Sequence, residues 1–421
     1  MKTARKSCAL ALVVAFVAAL AWPAAAGSIT IMVPAVNVNP EWEAALARFV
    51  EVTGVEVEVI VATTWDDMMA KVPTMVAGGL TLDAIYHDNA VQSDLISKDV
   101  MRPIEDLVVR DGIDLSIWPA PVVRALRYLP QYTGQLYSLP TGVSLYATYY
   151  NPDRFSEAGL GTLTRDWASD EFTWDEMVEI ARNLTVDRNG DGQPEQFGLQ
   201  DFMSFGAQAV FLWDLHWIDP EQTRFIGNTP QHIEALNQVR YLYELNVIGG
   251  NFLNGTAGMV PRQAVYLNEL RNAMQRGNAA PWLVAPNPLA VCRCSFSGFH
   301  SWGMPRSVQN IEDAWRFIRF MTLDPEGAIL FNRAENRVPV LPDTVAEFVE
   351  RWDAVNPGWG PEILIRGLEY ARKSNWGGLP RNIFTTIRDA TTRVMRGQVD
   401  AGIALAELET VINGIIADAR K

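Results

Sequence analysis

Cysteine is almost missing: the chain has three in 421 residues, and only Cys292 and Cys294 lie beyond the first 26. A framework of disulfides is therefore excluded. A bridge between these two, in VCRCSF, would close a strained small ring, so the stretch reads as two free or weakly bridged thiols. Histidine is equally scarce at four residues, and His300 alone does not supply the further ligands that a thiolate metal site needs. Long apolar runs are missing too, apart from one. Cys8 to Leu20 is uninterrupted, follows Lys2, Arg5 and Lys6, and precedes the small residues Ala24 to Ala26. That pattern reads as a signal peptide over residues 1–26, too short for a permanent membrane anchor. With no cysteine just after the expected cut, a lipid-anchored form is not expected.

Positive charge is the next shortage. Without the leader, 32 Lys and Arg face 49 Asp and Glu, so the formal charge moves from −14 to about −17. Such a surface repels nucleic acid and anionic lipid. Motifs of catalysis and nucleotide binding are lacking as well: there is no GxxxxGK[ST] loop and no HExxH, and GVSLY at Gly142 to Tyr146 lacks the second glycine of GxSxG.

What is there is a regular alternation of strand and helix signals. SITIMV alternates Ile29, Ile31 and Val33, and Asn39-Pro40 then opens a helix with Trp42, Leu46, Phe49 and Val50 on one face, ended by Gly54. VEVEVIV alternates valine with glutamate. WDDMMAKVPTMVAGG reads as a helix with Pro73 as a possible kink, and LDAIYHDN as a third strand. This strand-helix-strand-helix-strand unit demands parallel strands and right-handed crossovers, hence an α/β protein. Further on, Thr173 and Glu176 form a capping box with Phe172 and Met177 as its staple. Apolar stripes run through NIEDAWRFIRFMT (Ala314, Phe317, Ile318, Met321) and the closing ALAELETVINGII (Leu405, Leu408, Ile412, Ile415). FLWDLHW looks helical, with Trp213, His216 and Trp217 on one side. No repeat or long Ser/Gly linker interrupts the chain.

Open α/β sheets bind ligands beyond the carboxyl ends of their strands. Here those ends carry Asn37, then Thr63 to Asp66, then His87, Asp88 and Asn89. Thirteen of the 14 tryptophans follow the leader, and Trp65, Trp118, Trp282, Trp302, Trp359 and Trp376 fall in loops or beside Gly and Pro. Indole faces stack on sugar rings while nearby amides, carboxylates and guanidinium groups bond the hydroxyls. TVDRNGDGQPEQFG, by contrast, matches the early positions of a calcium loop at Asp187, Asn189 and Asp191, but its twelfth position is Gly198 where a bidentate glutamate is required. An Asx-rich turn is the expectation, with a weak structural calcium site as the alternative.

The order of segments resembles the extracellular solute-binding proteins of ABC transporters, in the sugar-binding group that includes the maltodextrin-binding proteins. The resemblance rests on EWEAALARFVEVTGVEVEVI, GGLTLDAIYHDN with DVMRPIEDL, GQLYSLPTGVSLYATYYNPDRFSEAGL, DAWRFIRFMTLDPEGAILF, NRVPVLPD and VMRGQVDAGIALAELETVINGI. It covers almost the whole chain after the leader. It implies the type II periplasmic-binding-protein fold: two α/β lobes, each with a mostly parallel sheet flanked by helices, closing on a ligand between them. Residues 27–138 with 299–337 would form lobe 1, and 139–298 with 338–421 lobe 2. Crossings are expected near Tyr137 to Thr141, Cys294 to Phe299 and Arg337 to Leu341.

The resemblance further implies no catalysis and no cofactor, a carbohydrate or polyol ligand, the membrane permease subunits of an ABC importer as partners, a monomer, and a periplasmic location. It places Asn37, Trp65, Asp88 and Asn89 at the first lobe's ligand edge, and Tyr146, Trp213, Trp282 and Trp302 in segments that supply stacking or hydroxyl contacts. ARKSNWGGLP departs from the family's usual loop, so Arg372, Asn375 and Trp376 are expected to set specificity. The rival reading is a secreted glycoside hydrolase, whose mark would be two carboxyl groups held at a fixed separation across a sugar.

Overall fold

A computed structural model describes residues 27–127, 134–201, 205–372, 379–380 and 382–419. The opening unit forms as the alternation demands. Strand β1 (Ser28–Pro34) leads through Asn39, whose side-chain oxygen accepts from the Trp42 amide, into helix α1 (Pro40–Thr53). Gly54 ends α1 at φ 71°, a left-handed conformation that glycine takes without strain. Strand β2 (Glu56–Ala62) then pairs parallel with β1 along its whole length. Helix α2 (Trp65–Ala77) runs through Pro73, and β3 (Ala84–Asp88) lies parallel to β1 on its other side. Helix α3 (Asn89–Ser97) follows directly, capped by the Asp88 carboxylate.

The remaining described strands are β4 (Ser138–Tyr150), β5 (Phe197–Leu199), β6 (Ala257–Gln263), β7 (Leu283–Ala285), β8 (Ser295–Gly303), β9 (Val338–Pro339) and β10 (Ala371–Arg372). Their order is β2-β1-β3-β8-β4-β6-β5, with β10 beside β8 and with β7 and β9 beside β4. The parallel pairs are β1 with β2 and β3, β5 with β6, and β8 with β10. Between them, β8 is antiparallel to β3 and β4, and β4 to β6, so the sheet as a whole is mixed.

All three segments expected to cross between lobes meet at β4. Every residue of β4 is buried; its first half pairs with β8 and β9, its second with β6 and β7. The ladder with β8 slips between Pro140 and Gly142, leaving Thr141 unpaired there. Gly142 is needed at this point because a Cβ would meet Glu335 Oε1 at 2.6 Å and Arg337 Cβ at 3.0 Å.

The capping box at Thr173 and Glu176 is present in the helix Trp174–Leu184, with both staple residues buried. The helices Ile311–Thr322 and Ala401–Asp418 bury the expected stripes, except that Ile415 is only half-buried beside a buried Ile416. FLWDLHW is corrected. A 3-10 turn covers Val210–Trp213 and Asp214 breaks it at φ 57°, so the three aromatic residues do not share a helix face. Trp217 is buried and donates to the Ala207 carbonyl, while Trp213 packs edge-on against Trp174. Among the described residues no helix is long and apolar enough to cross a membrane.

Candidate functional site

Beyond the ends of β1, β2 and β3 lies a cavity of about 1260 Å³, floored by the middle of β4 and β8. Its first wall comes from the loop and helix starts after the parallel strands: Asn37, Trp65, Asp88 and Asn89. Facing them are Tyr146 on β4, Gln263 opposite it on β6, Gln208, Phe296 on β8, and Asn268 with Arg271 from the helix Leu267–Gln275. Leu379 and Phe384 close one side.

Each first-wall residue is held for a local reason. Asp88 Oδ1 accepts from the amides of Ala90 and Val91, and Asn89 Oδ1 accepts from the Phe299 amide at 2.9 Å, tying α3 to β8. Both side chains are thus committed to the fold through one oxygen and present the remainder to the cavity. Asn37 is buried at 1% exposure, and its Oδ1 has no protein partner. A buried carbonyl oxygen without a donor is costly, so a ligand hydroxyl that reached it would be favoured. Trp65, first residue of α2, is half-buried and lies 6.0 Å from Tyr86 and 5.9 Å from His300 by ring centroids. Tyr146 is buried with its hydroxyl accepting from Gln208 Nε2 at 3.4 Å, and burial pushes that phenol up to about 12. It stays a neutral donor at any physiological pH.

In the floor is a polar network that sequence reasoning missed. Glu335 Oε2 accepts from the Tyr86 hydroxyl, from Thr141 Oγ1 at 3.0 Å and from Arg337 Nη1 at 3.4 Å. Arg337 Nε donates to Ser144 Oγ at 3.2 Å, which lies 3.1 Å from His300 Nε2. Burial pushes the Glu335 carboxyl above the usual carboxylate range, with Arg337 pulling it back. Burial, with help from Arg337, holds His300 well below the ordinary imidazole range and therefore neutral. Ser144, His300, Glu335 and Arg337 all line the cavity. One signal was available: Ser144 and Tyr146 alternate onto the same face of β4. The rest depends on residues far apart in sequence.

Two expected contacts are corrected. Trp302 is fully buried, stacked on Trp42 at 6.0 Å and meeting Phe317 edge-on at 4.9 Å. Trp282 is 1% exposed between Tyr149 and Trp359. Neither reaches the cavity, because helices or neighbouring rings cover both indole faces. Trp118 and Trp359 are core residues as well. Trp213 and Arg372 lie outside the cavity lining; Arg372 is exposed on β10, in register with Phe296. Asn375 and Trp376 fall outside the described residues. In the loop at Asp187, the carboxylate oxygens accept from the amides of Gly190 and Gly192, and those of Asp191 and Glu195 take further amides of the same turn. Among the described residues no group of three or more His, Cys, Asp or Glu is placed to hold a metal ion.

A cavity beyond parallel strand ends, floored by β4 and β8, lies where open α/β sheets bind their ligands. The chain matches the bacterial extracellular solute-binding protein family over residues 35–328, and it belongs to that family. Similar solved structures share the fold at low identity. The ABC substrate-binding protein Lmo0181 of Listeria monocytogenes, in complex with cycloalternan, is 18% identical with a TM-score of 0.75, covering 93% of this chain and 99% of its own. The sugar-binding protein MalE of Xanthomonas citri gives the same identity and score, with 93% and 98% covered. UgpB of Mycobacterium tuberculosis, in complex with glycerophosphocholine, is 18% identical at a TM-score of 0.75, with 94% and 100% covered.

Proposed function

We propose that this protein captures a carbohydrate or polyol in the cavity above β4 and β8, and delivers it from the periplasm to the permease of an ABC importer. The observation that carries the reading is the pairing, in one cavity, of an indole face at Trp65 with the unpartnered buried oxygen of Asn37. A ring stacks on the first while its hydroxyls satisfy the second. The volume of about 1260 Å³ exceeds the ~300–1,000 Å³ typical of small-molecule pockets and leaves room for more than one sugar ring. Structural neighbours solved with cycloalternan and with glycerophosphocholine support hydroxyl-rich ligands of both kinds.

In this reading residues 27–138 with 299–337 move as one lobe against 139–298 with 338–421, and closure about β4, β8 and β9 buries the ligand. The protein acts as a monomer, binds without turnover and needs no cofactor. Thermal unfolding of ligand-stripped protein against a panel of sugars, oligosaccharides, polyols and glycerophosphodiesters tests it. A ligand at a hundred times its dissociation constant adds roughly 2.7 kcal/mol and raises the midpoint visibly. No shift across the panel, or release of reducing sugar from a glycoside, overturns the reading.

A further inference from the structure

The two cysteines lie one layer behind the cavity wall. Cys292 Sγ donates to the carbonyl oxygen of Phe211 at 3.2 Å, and Cys294 Sγ donates to the same oxygen at 3.3 Å. Residues two apart in an extended chain point to the same side. Here the chain bends just before β8, and both sulfurs converge on one atom. The Phe211 ring stacks on Phe296 at 5.3 Å, and Phe296 lines both the ligand cavity and a smaller apolar cavity of about 50 Å³ that Cys294 also lines. The two thiols are not equivalent. Cys292 is half-buried and therefore approachable, whereas Cys294 is 1% exposed.

We propose that Cys292 and Cys294 form a redox-active dithiol, with Cys292 the attacking thiol and Cys294 the resolving one, oxidised reversibly to a disulfide by a small-molecule or protein disulfide. The Cys294 thiol beside it brings the Cys292 thiol down to about 7, near the optimum for attack on a disulfide. The Cys292 thiolate displaces one thiolate from the oxidant and forms a mixed disulfide. The Cys294 thiol then loses its proton and attacks the Cys292 sulfur, expelling the second oxidant thiol. In total the protein loses two electrons and two protons, and the oxidant gains them as two thiols.

Cys294 starts with its thiol held up, first by the hydrogen bond with Cys292, then by burial, then by the Cys292 charge. Forming the mixed disulfide removes the Cys292 thiol and its charge. The first step thus releases the second. The ring closed by a bridge between positions two apart is small and strained, and strained disulfides are the readily reduced ones, suited to cycling more than to stapling.

The test exposes the reduced full-length protein to oxidised glutathione, alkylates what remains, and follows Cys292 and Cys294 by peptide mapping. Both thiols are expected to be lost together, in one peptide carrying an internal disulfide and no glutathione, and to return on adding dithiothreitol. C294S is expected to stop as a stable glutathione adduct on Cys292, and C292S to stay unmodified because the remaining thiol is buried. The idea is overturned if the wild-type protein keeps both thiols alkylatable, holds a stable adduct at Cys292, or links through these cysteines into dimers. The wild-type outcome decides alone, whether or not the variants fold.

Discussion

Trp65 and Trp302 touch the same tyrosine and do opposite things. Tyr86 lies 6.0 Å from Trp65 on one side and 5.3 Å from Trp302 on the other. Trp302 sits opposite Tyr86 in the β3–β8 ladder, under α1 and the helices Ile311–Thr322 and Pro325–Glu335. Trp65 opens α2 at the rim of the cavity. Strand parity does not separate core from site here, since His300 and Trp302 share a face of β8 and only His300 lines the cavity. What differs is the element laid on top. A tryptophan in this α/β chain opens onto the cavity only where no helix covers it.

The comparison can be broken most forcefully at its buried end. Trp302→Ala empties a packed core and is expected to cost about 3–5 kcal/mol in urea unfolding. A loss under 1 kcal/mol would show that the core collapses around the gap and that Trp302 is not its centre. Comparable in size is Glu335→Ala, which leaves Arg337 buried without its carboxylate and is expected to cost about 3–5 kcal/mol. An unchanged denaturation midpoint would remove the network from the account of the floor.

Acid probes the same layer more gently. Burial lowers His87 to about 4, and its Nδ1 lies 3.2 Å from Ser301 Oγ. Between pH 6.5 and about 4 the unfolded state therefore binds more protons than the folded one at this residue, so stability falls as pH falls through that window. The His87 contribution is on the order of 3 kcal/mol, and His300 acts in the same direction. Glu335, displaced upwards, acts in the opposite one, gaining stability as pH falls. The difference between wild type and His87→Gln isolates the His87 part; parallel stability curves would contradict it. Smallest in stability, but most telling for function, is Trp65→Ala. It is expected to weaken binding of whichever panel ligand shifts the midpoint by at least tenfold, about 1.4 kcal/mol, with less than half the stability loss of Trp302→Ala. Equal affinity in titration calorimetry would dissolve the contrast between the two tryptophans.

Much of the scaffold was legible because it is local. Asn39 before Pro40, Gly54 after Thr53, and Thr173 three residues before Glu176 each specify a helix end within a few positions. The first wall was legible for a related reason: parallel strands place their next polar residue at the sheet edge. FLWDLHW misled because its aromatic spacing fits a helix, while Asp214 in the left-handed region stops the turn. The floor was not legible. Tyr86, Thr141, Ser144, His300, Glu335 and Arg337 come from four segments of the chain and acquire their roles only when β3, β4, β8 and β9 meet. No pattern of a single segment encodes the carboxylate that three of them share.

The slip in the β4–β8 ladder at Thr141 has a mechanical meaning. A continuous ladder resists bending because flexing it breaks several hydrogen bonds at once; here one rung is already given up, and Thr141 bonds instead through its hydroxyl to Glu335. The irregular point in β4 therefore coincides with the Glu335 carboxyl group that lines the cavity. In the proposed reading, bending there would pull on the Glu335 carboxyl group, which lines the cavity, and so would join the curvature of β4 to the cavity floor.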